Sequence, residues 1–248
     1  MANRSWNCSA LVLSLTSFGE GHREACLFTE DNTLVRAAVF GGAKSKLRSL
    51  VSPWHRGRVW IYSDPVKKTA KITDFDVQAF HEGIREDLVR TWCASLCTEI
   101  LTRSHGIADW KLVNAFIDGI AVSSPDDCRR ALIRYLWRTL TVAGLNPPVD
   151  CCPQCGSGVN SENAVVYYSP HEDACVCLSC VGLDEKRFPL SPEARSYLVS
   201  IACLKPAESR AIPLGLQAYT ELKNFLFFLL SRMIDSPLKT LESGEGIL

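Results

Sequence analysis

A chain of 248 residues with 47% apolar and 22% charged residues has the balance of a folded globular protein, which excludes a disordered polyelectrolyte, and its 12 cysteines are too dilute for a disulfide scaffold. The 27 Lys and Arg balance the 27 Asp and Glu, but unevenly: residues 1–75 carry 11 basic against 6 acidic, residues 76–150 carry 8 against 10, and residues 151–248 carry 8 against 11. A polyanion should therefore meet the N-terminal part.

In chain order, residues 10–15, 25–29, 34–40, 58–62 and 69–73 read as strands, rich in β-branched and aromatic residues. Turn residues separate them: Gly19-Glu-Gly21, Glu30-Asp-Asn32, Gly41-Gly42 and Ser63-Asp-Pro65. Five short strands in this space predict a small closed barrel, of the OB or SH3-like kind. From about Asp76 the period changes. Phe80, Ile84, Leu88, Trp92, Leu96 and Ile100 form an apolar stripe at helical spacing. A second helix is expected over 108–120, and a third from Ser124-Pro125 to Gly144. Ser124 is placed to cap this third helix, Asp126 and Asp127 favour the positive end of its dipole, and Gly144 can end it. Further helices are expected from Ser191 to Cys203 and over 214–234. Strands first and helices after, broken once by a cysteine-rich insertion, make an α+β chain: a barrel at 1–77, then an α-helical domain at 78–248 with an insertion at about 150–182.

The longest fully apolar run, Phe225 to Leu230, is flanked by Lys223 and Arg232 and is far short of the ~18 residues of a membrane span. No small-residue cleavage site follows the apolar residues 10–15, so neither a membrane anchor nor an export signal is expected. The expected compartment is the cytoplasm. Clustered cysteines in a reducing compartment are metal ligands before they are disulfides.

The cluster consists of two Cys-x-x-Cys pairs, Cys152/Cys155 and Cys177/Cys180. Each pair can point two thiolates at one ion, and two pairs complete the tetrahedron of a closed, structural Zn²⁺ site. Gly156 can take the positive φ such a knuckle needs. Cys151 could replace Cys152, and Cys175 or His171 could serve in the second half; the x-x pairs are preferred. The other cysteines (8, 26, 93, 97, 128, 203) lie in apolar stretches and read as small buried side chains. A closed site does not activate water. A deaminase-type zinc site needs His-x-Glu together with Pro-Cys-x-x-Cys, and no proline directly precedes Cys152 or Cys177. Phosphate-loop, serine-hydrolase and His-Glu-x-x-His motifs are also missing, so no enzyme activity and no small-molecule substrate are expected.

After the third strand comes Val39-Phe-Gly-Gly-Ala-Lys44-Ser-Lys46-Leu-Arg48, followed by Ser52-Pro-Trp54. Glycines allow close backbone approach, and Lys44, Lys46 and Arg48, with Arg36 nearby, offer a salt-sensitive grip on phosphates. Trp54 or Phe40 can offer a stacking face for a base. Surface basic runs are common, so the alternative is a solvated loop.

Taken together, three features resemble the RecO family. The opening strands Leu11-Val-Leu13, Leu27-Phe-Thr-Glu30 and Val35-Arg-Ala-Ala-Val39 are similar to its first strands. The loop from Gly41 to Arg48 with its Pro53-Trp54 pair, and the Cys-x-x-Cys pairs behind a Tyr-rich strand, are similar to its basic loop and its zinc insertion. The tail Ser236-Pro-Leu-Lys239 resembles the family's C-terminal end. The resemblance implies an OB-fold, a helical domain with an embedded four-cysteine zinc finger, binding and annealing of single-stranded DNA, and a role with RecR in loading RecA on DNA coated by single-strand-binding protein (SSB). In this loop Phe40 and Ala43 stand where the family usually has bases. Such a loss favours a rival reading as a protein-interaction adaptor. For an SSB tail, the apolar residues Phe225, Phe227, Phe228 and Leu229 of the last helix are the expected groove. Arg129, Arg130 and Arg134 are the alternative DNA-binding face.

Overall fold

The computed structural model describes residues 4–19, 21–40, 45–156, 165–182, 188–244 and 246–247. These form two compact units, 1–125 with 243–248, and 126–242.

The first unit is built on a closed five-stranded barrel of order β1-β2-β3-β5-β4. Its strands are β1 (Ser5–Phe18), β2 (His22–Thr29), β3 (Leu34–Val39), β4 (Arg56–Asp64) and β5 (Thr69–Ala79). All ladders are antiparallel except the closing one, where β3 meets β5 in parallel through the pair Ala38 and Lys71. A short helix, α1 (Lys46–Leu50), lies between β3 and β4. The topology is that of an OB-like barrel, the first half of the expected α+β architecture. Small and β-branched side chains, joined by Leu27 and Phe75, fill its centre: Ala10, Val12, Ala25, Ala37, Val39, Val59, Ile61 and Ile72, with Leu47 and Leu50 of α1 packed against them. On the opposite face of the strands Leu11, Leu13 and Phe28 are buried as well, and Phe28 meets Trp110 at 5.8 Å.

The helical period does not begin at Asp76. β5 continues to Ala79 along β4, a 3-10 turn follows at Glu82–Glu86, and α2 (Leu88–Arg103) starts where Asp87 accepts a hydrogen bond from the Arg90 N–H. A bulge disguises the strand: Trp60 pairs with Asp74 and Ile61 with Ile72, leaving Thr73 extra. Ile72 and Phe75 then both face the barrel centre three residues apart, a spacing that imitates a helix. Phe80, expected on the stripe, is 43% exposed. α3 (Trp110–Ile120) is capped by Asp109, and the Asn32 side chain accepts from the Trp110 N–H at 2.7 Å. Asn32 sits in the β2–β3 turn with φ 58°, a conformation that asparagine tolerates. By packing, α2 and α3 belong to the same compact unit as the barrel, whereas the boundary expected at 77/78 falls inside β5.

The second unit contains α4 (Pro125–Ala143), which Gly144 ends with φ 71°. A three-stranded sheet of order β7-β6-β8 follows, made of β6 (Val166–Ser169), β7 (Ala174–Cys177) and β8 (Pro189–Leu190). Then come α5 (Pro192–Cys203), capped by Ser191, α6 (Pro206–Arg210), α7 (Leu216–Ile234) and α8 (Lys239–Ser243). Among the described residues no helix is long and apolar enough to cross a membrane.

Candidate metal centre and nucleic-acid face

The sheet of the second unit gathers the two cysteine pairs. β6 and β7 form a hairpin whose exit carries Cys177, and the Cys177 carbonyl accepts from the N–H groups of Cys180 and Val181 at 3.0 Å, which folds the chain back into a knuckle. The first knuckle closes in the same way, with the Gly156 N–H donating to the Cys152 carbonyl at 2.9 Å and Gly156 at φ 67°. The sulfurs of Cys152, Cys155, Cys177 and Cys180 all lie within 4.8 Å of one another, and those of Cys155 and Cys177 are 3.7 Å apart. A tetrahedral ion with metal–sulfur bonds of about 2.3 Å has sulfur–sulfur edges of about 3.8 Å, so the four thiols fit one metal ion.

Electrostatics at the cluster point the same way. Burial raises the Cys152 thiol, but backbone N–H groups of Cys177, Cys155 and Gln154 aimed at its sulfur outweigh burial and hold it below the ordinary value. Cys180 is pushed up to about 12, first by its side-chain hydrogen bond with Cys177 and then by burial and the other two cysteines. Four thiols this close cannot all shed protons unless a cation shares the site. Cys175 is fully buried and pushed up to about 12 by burial; Cys151 and His171 are exposed, and none of the three joins the cluster. Of the remaining cysteines, Cys8, Cys26, Cys93, Cys97 and Cys128 are buried as expected, but Cys203 is exposed at the end of α5.

The basic residues singled out in the sequence occupy the barrel. Arg36 stands on the outer face of β3 with 71% of its side chain exposed, 3.3 Å from Glu24 on β2. Lys46 is exposed on α1, and Arg48 on the same helix donates to the Gly21 carbonyl of the β1–β2 turn at 3.1 Å. Lys44 lies outside the described residues. Trp54 is not an open stacking face. Its indole N–H donates to Thr98 of α2 at 3.3 Å, and the Arg85 guanidinium sits 5.5 Å from its ring. Phe40, by contrast, is 47% exposed.

Other residues that no sequence motif marks lie on this outer face. Phe18 and His22 are cross-strand partners at the end of β1 and the start of β2, their rings 5.8 Å apart, and His22 is 5.0 Å from Phe40. Lys71 lies beside Ala38, its ammonium 5.2 Å from the Tyr62 ring. The Gly-Glu-Gly turn alone signals that Phe18 and His22 flank a hairpin; the rest depends on strand register.

On α4, Arg129 and Arg130 pair with Asp126 and Asp127, and Arg134 donates to the Tyr197 hydroxyl. On α7, Phe225 and Leu229 are buried, and Phe228 rests 4.5 Å from Phe188 and 6.0 Å from Tyr168. The expected groove is therefore filled by the chain's own sheet. A separate hollow brings Arg129 and Arg130 together with Leu214, Leu216 and Tyr219.

Comparison with known proteins matches two family models in series, Recombination protein O N terminal over residues 1–79 and Recombination protein O C terminal over residues 85–242. The DNA repair protein RecO of Bacillus pumilus is 25% identical over 196 residues, covering 76% of this chain and 73% of its own length. That of Myxococcus xanthus is 30% identical over 155 residues (59% and 62%), and that of Heliobacterium modesticaldum 24% over 227 residues (86% and 79%).

Proposed function

The chain belongs to the RecO family of DNA repair proteins, and from that premise we propose that it is a recombination mediator that works by binding rather than catalysis. It holds single-stranded DNA on the barrel through Arg36, Lys44, Lys46 and Arg48, promotes annealing, and with a RecR-like partner helps load RecA on SSB-coated DNA in the cytoplasm. Residues 1–77 form the DNA-binding module. Residues 78–248 form the partner-binding module, braced at about 150–182 by one structural Zn²⁺ on Cys152, Cys155, Cys177 and Cys180. Four thiolates close the coordination shell, so the ion stiffens the insertion and leaves no position for substrate.

The observation that carries the reading is the open outer face of an OB-like barrel, where exposed cations stand beside exposed aromatic rings. That combination binds single strands without reading sequence. For an acidic SSB tail, the hollow of Leu214, Leu216 and Tyr219 offers an apolar floor, edged by Asp126, Arg129 and Arg130, and the tail would have to win the two arginines from Asp126 and Asp127.

The test is titration of the protein into a labelled single-stranded oligonucleotide at two salt concentrations. Contacts to about four phosphates give a log–log slope near −3. Absence of binding at low salt would leave the adaptor reading, in which the helices bind partners and the barrel has lost DNA.

A further inference from the structure

Barrel strands ordinarily turn aromatic residues inward or under a covering helix, as Phe75 and Phe28 are here, each no more than 2% exposed. Phe18 and Phe40 break that rule at 42% and 47%. A single exposed apolar side chain needs no explanation; two held in line by a third ring form a surface feature.

The alignment follows from register. Phe18 is opposite His22, and Arg23 is opposite Val39, so Phe40, one residue past β3, comes level with His22. The ring planes are inclined by 40° between Phe18 and His22 and by 73° between His22 and Phe40. Side chains alternate between faces along a strand, so Phe40, Ala38 and Arg36 share the outer face of β3 at intervals of about 7 Å. Cations surround the row. The Arg48 guanidinium is fixed on the turn between Phe18 and His22 by the Gly21 carbonyl, Lys71 lies beside Ala38, and Arg36 stands one step further. Glu24, the acid on this face of β2, is paired with Arg36.

We propose that Phe18, His22 and Phe40 form a base-stacking platform on which a single strand lays two or three unpaired bases, its phosphates running past Arg48, Lys71 and Arg36. The inference rests on the single-strand-binding reading above and adds where the bases go. Flat rings interrupted by cations suit a ligand whose π faces alternate with phosphates, and every base has such a face. A duplex keeps its bases stacked inside and cannot use the row, so single strands are preferred to duplex.

The experiment uses the full-length protein and a labelled dT oligonucleotide. The double variant Phe18→Leu/Phe40→Leu keeps apolar bulk but removes two π faces. It should bind about tenfold or more weakly with an unchanged salt slope, because no phosphate contact is lost. Separately, the emission that Phe40→Trp adds to the protein should be quenched when the oligonucleotide binds. Native affinity in the double variant, a fall in slope alongside affinity, or an unquenched emission would each overturn the platform while leaving DNA binding intact. If the native protein itself fails to bind at low salt, the platform and the mediator reading fall together.

Discussion

Cys152 and Cys175 are equally hidden, at 1% and 0% exposure, yet they face different surroundings. The Cys152 sulfur takes N–H groups from its own knuckle and from Cys177, and stands with three other thiols. Cys175 sits on β7, where its N–H donates to the Pro148 carbonyl and its thiol is pushed up by burial. Cys152→Ser should therefore release the metal and loosen the insertion, since metal binding in small zinc modules is worth roughly 10–16 kcal/mol. Cys175→Ser should keep the metal and lose about 1–3 kcal/mol of stability, because a hydroxyl replaces a less polar thiol at a fully buried position. Metal content and a denaturation midpoint on each variant read the two effects separately; equal metal loss in both would overturn the ligand set. Spacing made this site legible. Two residues between cysteines fix a knuckle locally, whereas the Phe18–His22–Phe40 row needs the register of three strands, which residue order does not carry.

At the scale of elements, turn residues marked the strands well: Asn32 adopts its left-handed turn, and Gly19 and Gly21 have φ of 54° and 82°. Two things were hidden. The bulge at Thr73 breaks the period of two, which hid the run of β5 on to Ala79, and among the described residues barrel closure rests on one parallel pair, Ala38 with Lys71, that no local pattern encodes. The tie between hairpin and helix in the second unit was equally invisible. The Tyr168 hydroxyl donates to Asp173 at 2.5 Å, and Arg232 of α7 donates both to that hydroxyl and to Asp173, the latter at 3.2 Å. Burial first, and the bond to Asp173 next, push the phenol well above its ordinary range, so it stays a donor. Tyr168→Phe should cost about 1–2 kcal/mol in a denaturation experiment, since Arg232 and Asp173 keep each other and solvent. One metal ion per chain should remain, because the hydroxyl lies outside the thiol cluster. Loss of metal in this variant would mean that the tie to α7, rather than the knuckles, sets the thiol geometry.

Across the whole molecule, a net charge of zero conceals a division of labour: the cysteine cluster lies in the acidic part, and the exposed cations Arg36, Lys46 and Lys71 lie in the basic first 75 residues. The arginines of α4 are drawn into contacts with Asp126, Asp127 and Tyr197, which weakens that helix as the alternative polyanion site. If the barrel is the grip, replacing Lys44, Lys46 and Arg48 together by Ala should flatten the salt slope of single-strand binding by about 2 out of about 3, each lost phosphate contact removing about 0.7. Binding should weaken for every homopolymer alike, because phosphate contacts carry no sequence information. Metal content should not change, since the substitutions and the thiols belong to different compact units. Side chains at exposed positions of α1 contribute little to burial, so the unfolding free energy should change by no more than about 0.5 kcal/mol if only Lys46 is changed. A slope that stays near −3 in the triple variant would take the phosphates away from α1 and its approach. The contacts would then have to come from Arg36 and Lys71 on the outer face or from Arg129, Arg130 and Arg134, and single replacements at those five positions would show which.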